Sequence, residues 1–262
     1  MMYYTKEGLP LYYEMCGNGP PLLLIAGLAS DSRSWQPVRD GLAERFTLIM
    51  PDNRGVGRSS QECVTSIDLI ADDCFALIQH LGMENVNLLG HSMGGMVAMS
   101  YAVRYPSALN KLIVVSSAPQ NSARNNQLFS DWATSSSAGQ DRFAWFRSIF
   151  YWIFTAHFFN NLQMVNEAVR WLVEDAWPQS SQAFRRQVEA IAAWDATVDL
   201  CRISSPTCII TGNKDILFPM EDSLQLTELI PGACLTVIEH AAHSIHTEQP
   251  DAFINAIGNF IV

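Results

Sequence analysis

Short, fully apolar runs alternate along this chain with segments of helical period, and no other feature restricts its fold as strongly. Leu22-Leu23-Leu24-Ile25-Ala26 follows Gly19-Pro20-Pro21 and reads as a strand buried on both faces. Residues 47–50, 86–89, 112–115, 207–211 and 235–238 have the same character. Between them, residues 67–81 carry apolar side chains at 67, 70, 74, 77, 78 and 81, the spacing of a helix, stopped by Gly82. Residues 94–105 read as a second helix ended by Pro106, and residues 248–262 as a closing helix. Strands alternating with helices predict an α/β protein with a mainly parallel sheet covered by helices.

Residues 119–199 break this pattern. They begin polar, at Gln120-Asn121-Ser122-Ala123-Arg124-Asn125-Asn126, and then turn helical and aromatic. From 143 to 159, nine of seventeen residues are Phe, Trp or Tyr. No strand-like run occurs there. The stretch reads as a helical cap inserted between two parts of one core, 1–118 and 200–262. Its aromatic side chains either pack the cap onto the core or wall a pocket. Trp145, Phe146, Phe150 and His157 are the candidates for facing a substrate.

Charge narrows the partners. Lys plus Arg number 16 against 26 Asp plus Glu, a net charge of −10 spread along the chain. That excludes a polybasic nucleic-acid binder and an electrostatic anchor to anionic lipid. The apolar run at 149–154 is far too short to span a bilayer. The first residues have no apolar signal region, and the six cysteines form no Cys-x-x-Cys pair or zinc spacing. Free, mostly buried thiols in a reducing cytoplasm are expected. The sequence assigns no oligomeric state.

Gly90-His91-Ser92-Met93-Gly94 matches G-x-S-x-G with a strand ending just before it and a helix starting just after. That is the setting of a nucleophile elbow. Such a turn is too tight for side chains at the flanking positions. It pushes the Ser92 hydroxyl out at the end of the strand and sets the Met93 N–H at a helix N-terminus, where it can donate to an oxyanion.

From these residues outward the chain resembles the α/β-hydrolase family. The resemblance rests on residues 22–28 with Trp35, Pro51-Asp52-Asn53-Arg54-Gly55-Val56-Gly57-Arg58-Ser59, residues 87–95, residues 211–215 with Pro219, and His243 with Glu248 and Pro250. It implies an eight-stranded, mostly parallel sheet with the cap inserted after the sixth strand. It also implies a Ser, Asp, His order for the catalytic set. Asp215 follows the strand at 207–211 and is the acid, with Glu239, Asp222 and Asp199 as weaker candidates. Three histidines follow it: His240, His243 and His246. The family pattern places the base shortly before Glu-x-Pro, which selects His243, although Ala242 stands where the family usually has Gly. Ala26-Gly27-Leu28 matches the oxyanion loop, with Ala26 in place of the usual His. Leu28 is then the second backbone donor beside Met93, and Gly27 lies against the substrate. Asp52 and Arg54 either clamp a substrate or hold their loop.

The resemblance points to the serine ester and lactone hydrolase branch, similar to 3-oxoadipate enol-lactonases, carboxylesterases and pimeloyl-carrier-protein esterases. The expected reaction is hydrolysis of a carboxylic ester or lactone of small to medium, partly apolar acyl chain, through an acyl-enzyme. No metal or organic cofactor is implied. A serine nucleophile sets aside the family's dehalogenases and epoxide hydrolases. The short oxyanion loop sets aside its carbon–carbon bond hydrolases, and Met93 its proline iminopeptidases. A thioesterase or acyl-carrier-protein ester hydrolase is the nearest alternative. A non-catalytic fold that binds a small ligand is the alternative from another class.

Overall fold

The computed structural model describes the backbone of residues 2–4 and all of residues 8–261. In chain order the elements are β1 (Met2–Tyr4), β2 (Pro10–Cys16), β3 (Pro21–Ile25), α1 (Gln36–Ala43), β4 (Thr47–Pro51), α2 (Ile67–His80), β5 (Val86–His91), α3 (Met93–Arg104) and β6 (Leu109–Val115). Then follow α4 (Ala123–Ser137), α5 (Arg142–Ile153), α6 (Leu162–Val173), α7 (Ser181–Ala192), β7 (Thr207–Gly212), α8 (Met220–Leu229), β8 (Cys234–Ile238), α9 (Ile245–Glu248) and α10 (Pro250–Ile261).

The strands lie side by side in the order β1-β2-β4-β3-β5-β6-β7-β8. From β4 to β8 every pairing is parallel, and β2 runs antiparallel to β4. β1 is added to the outer edge by its antiparallel ladder to β2. The apolar runs follow from burial on both faces. Leu23, Ile25, Ile49, Leu88, Val114 and Ile209 face one core with α2, α3 and α8. Leu22, Leu24, Leu48, Leu89, Ile113 and Ile210 face the other, with α1, α9 and α10. Each such side chain contributes about 1.5–3 kcal/mol by leaving water.

One outer strand carries a weaker signal. In β2, Leu11 and Tyr13 are buried while their neighbours are partly exposed, so an edge strand with period-two alternation stands where no apolar run marks it. The closing helix is also split. It breaks at Gln249, and Pro250 opens α10, where its missing N–H costs no hydrogen bond.

Between β6 and β7 the chain makes only helices, α4 to α7. Its two ends meet at a bridge between Gln120 and Asp195, beside the Ala196 N–H that donates to the Pro119 carbonyl at 3.0 Å. All six cysteines are free. Cys63, Cys74 and Cys208 are buried, but Cys201 and Cys234 are exposed, so burial is less general than the sequence suggests.

Candidate active site

Ser92 sits between the carboxyl end of β5 and the first turn of α3, with φ 57° and ψ −120°. This is a strained conformation for a residue bearing a Cβ, and it is imposed from both sides. A side chain at Gly90 would strike the Gly94 carbonyl, and one at Gly94 would strike the Ile25 carbonyl of the neighbouring strand. The two glycines let α3 descend directly onto the sheet. The Ser92 N–H donates to the Val115 carbonyl at 2.9 Å, and the Ser117 hydroxyl donates to the Ser92 carbonyl at 2.9 Å.

Gly27 faces this turn. A Cβ there would lie 3.2 Å from the Ser92 Cβ. Among the described residues, the N–H groups of Leu28 and Met93 donate to no other protein group. Two backbone donors therefore remain uncommitted beside the Ser92 side chain.

Asp215 follows β7, and its carboxylate is used on both oxygens. One accepts the N–H groups of Leu217 and Phe218, each at 2.9 Å. The other lies 3.0 Å from Nδ1 of His243. A carboxylate so held orients the imidazole with Nδ1 protonated and Nε2 free to accept. The Phe218 ring stacks on His243 at 5.4 Å, fixing the ring plane. Both Asp215 and His243 are buried.

His91 ties the two halves together. Its Nε2 lies 2.9 Å from the His243 carbonyl, which only accepts, so that nitrogen carries the proton. Burial, then the neighbouring His243 and His246, hold His91 well below the usual histidine range. His246 is also pushed down, to about 4, chiefly by burial. Its ring lies against Trp35 and His91 at 5.2 and 4.9 Å. His240 is exposed in its loop, with its backbone N–H on Asn213. Of the three late histidines, His243 is the one that meets Asp215.

Asp52 and Arg54 are occupied elsewhere. Arg54 is fully buried and bonds Asp73 through two N–H groups at 2.6 and 2.7 Å. Asp52 accepts the Ser32 N–H at 2.9 Å and the Arg58 backbone and side chain at 2.9 and 3.0 Å. They hold their loop.

The cap residues divide. Trp145 and Phe146, with Ala29 and Phe184, line a cavity of about 370 Å³ between the cap and the loop that follows Gly27. Trp145 is fixed by its indole N–H on the Trp132 carbonyl at 2.9 Å. Phe150 instead joins Val165 and Val169 in a cluster between α5 and α6, inside the cap. His157 is exposed and lines a separate cleft of about 620 Å³ with Tyr151, Phe154, Lys214 and His240. The aromatic count of the segment carries no information on which way each ring turns.

Three residues near the site lack a local sequence signal for their contacts. Glu248 accepts the Ala242 N–H at 2.8 Å on one oxygen, and on the other the Thr155 hydroxyl and N–H at 2.6 and 3.0 Å. Phe218 stacks on the imidazole. Gln187 of α7 reaches the loop after Gly27.

A family model described as alpha/beta hydrolase fold matches residues 20–250, and the chain belongs to that family. A protein named "Putative carbamate hydrolase RutD" from Caulobacter sp. (strain K31) is 28% identical over 98% of this chain and 97% of its own length. A thermophilic esterase from Thermogutta terrifontis superposes with a TM-score of 0.88 at 28% identity, covering 100% of this chain and 97% of its own. The enol-lactonase from Burkholderia xenovorans LB400 has the same fold, with a TM-score of 0.90 at 22% identity over 100% of this chain and 99% of its own.

Proposed function

We propose that the chain is a serine hydrolase that cleaves carboxylic esters or lactones through an acyl-enzyme. The observation that carries this reading is the His243–Asp215 bond, on a loop whose His243 carbonyl is held by His91, the residue before a serine at positive φ. Ser92 Oγ attacks the acyl carbonyl while His243 Nε2 takes its proton. The N–H groups of Leu28 and Met93 stabilise the oxyanion, each worth about 3 kcal/mol. His243 then protonates the leaving oxygen. Water, deprotonated by the same imidazole, releases the acid and restores Ser92.

The apolar faces of Trp145 and Phe146, in a cavity that Asp31, Arg142 and Asp175 also line, favour a short to medium, partly apolar acyl group. Residues 119–199 act as its cap. The carbamate hydrolase name among full-length relatives supports carbamates as a second substrate class for the same carbonyl attack.

A fluorophosphonate probe tests the assignment. The wild type is expected to label once, and Ser92→Ala not at all. Labelling that survives in Ser92→Ala refutes the nucleophile. A panel of p-nitrophenyl esters is expected to favour short to medium chains, and a preference for chains longer than laurate contradicts the pocket reading.

A further inference from the structure

We propose that Gln187, carried by the cap, is a positioning residue for the oxyanion loop of the core. The proposal rests on the reading of Leu28 as an oxyanion donor.

Gln187 lies on α7 with its side chain fully buried. Its Oε1 accepts the Ala29 N–H at 3.2 Å and an N–H of Gln179 at 3.0 Å. Its Nε2 donates to the Arg54 carbonyl at 3.2 Å, and Gln179 also donates to the Gly55 carbonyl at 2.7 Å. A buried amide so satisfied is costly to disconnect, because its partners are then stranded without water.

Ala29 needs this support. Its φ is 58°, a left-handed conformation that costs an alanine roughly 1–2 kcal/mol. Ala26, three residues earlier, has no side chain with which to brace the loop. Its carbonyl is held from the core side by the Asn53 amide at 3.1 Å. The Gly27 carbonyl accepts the Ser30 N–H at 3.2 Å. In a trans peptide the carbonyl and the following N–H point in opposite directions, so this bond aims the Leu28 N–H away from Ser30. The loop is thus fixed by Asn53 at one end and by Gln187 at the other, with Leu28 between them. The cap closes a cavity and also sets the direction of an oxyanion donor.

Gln187→Met keeps the side-chain volume and deletes all three of its hydrogen bonds. A trifluoromethyl ketone reads the consequence: Ser92 Oγ adds to its carbonyl carbon, the hydroxyl proton passes to His243, and the carbonyl oxygen becomes the anion. In Gln187→Met, ketone affinity and kcat for p-nitrophenyl acetate are expected to fall together, by about 10- to 100-fold, with KM little changed. Gln187→Glu keeps the acceptor at Ala29 but loses the donor to the Arg54 carbonyl, and is expected to lose less ketone affinity than Gln187→Met. In the unaltered protein, the Ala29 amide is expected to exchange slowly with deuterated solvent, a readout that needs no variant to fold and no activity. The proposal is overturned if Gln187→Met binds the ketone as tightly as wild type, if Gln187→Glu loses as much as Gln187→Met, or if the Ala29 amide exchanges freely. A wild type that forms no ketone adduct and takes no fluorophosphonate refutes the serine hydrolase reading instead, and the Ala29 exchange rate still decides whether Gln187 braces the loop.

Discussion

The core and the cap hold their residues near the site by different means. In the core, backbone does the positioning. Ser92 is set by strand register against Val115 and by two close glycine approaches, and Asp215 by two N–H groups of its own turn. In the cap, side chains reach across the fold. Gln187 meets Ala29 across 158 positions of sequence, and Thr155 meets Glu248 across 93. Backbone geometry tolerates substitution at all but a few small residues. Side-chain reach depends on one residue type at one place. At those few core residues the loss should be abrupt, whereas each cap side chain is one link among several, so the cap should fail by degrees.

The largest expected effect is at Ser92. Ser92→Ala should lower kcat for p-nitrophenyl acetate by on the order of 10⁴- to 10⁶-fold while leaving the urea midpoint near wild type. A drop of only a few fold shows that the core holds a different nucleophile.

The next is the buried pair that supports the loop beneath the cap. Asp73→Ala leaves Arg54 charged, buried and without its carboxylate, and should cost about 3–5 kcal/mol in urea unfolding. A cost below 1 kcal/mol contradicts the structural role given to this pair.

A smaller effect is expected where the cap grips the His243 loop. Thr155→Val removes the hydroxyl bond to Glu248 but keeps the backbone one, and should cost about 1 kcal/mol with a modest fall in kcat. Unchanged kcat and unchanged stability show that the cap is not coupled to this loop.

The smallest effects depend on pH. Burial first, and then the nearby Asp215, push Asp222 up to about 6. The folded state then binds this proton more tightly than the unfolded chain, so the stability it contributes is present in acid and lost as pH rises through about 6. Asp222→Asn should raise the urea midpoint at pH 7.5 and leave it unchanged at pH 4. His246 has the opposite sign. Its depressed value favours folding above about pH 6.5, and that contribution is lost as pH falls toward 4. His246→Phe should flatten the acid limb of the stability profile, and an unchanged limb shows that the acid loss lies elsewhere.

The same contrast explains what could be read from the sequence. Strands β3, β5, β6 and β7 are apolar runs because they are buried on both faces, and the elbow is legible because its glycines are forced by contacts a few residues away. β2 was not legible as a run, since only Leu11 and Tyr13 turn inward along an antiparallel edge strand. The places of the Gly27–Leu28 turn and of Asp215 follow from the ends of β3 and β7. The helical character of the segment between β6 and β7 was legible, but not the directions of its side chains. Trp145 and Phe150 are both buried aromatics on α5, yet one borders the cavity and the other packs against α6. Gln187 shares the buried face of α7 with Phe184 and Ile191, but its residue type says nothing of its partners, and only the folded chain brings Ala29 and the Arg54 carbonyl to it.

Whether Ser92 carries the acyl group decides between a serine hydrolase and other chemistry on this core. Acid quenching during the first turnovers of p-nitrophenyl acetate, followed by peptide mass mapping, tests it most directly. One acetyl group is expected, on the peptide containing Ser92, and it should disappear once substrate is exhausted. An acetyl group on another residue, or steady turnover with no covalent adduct at any time, contradicts it.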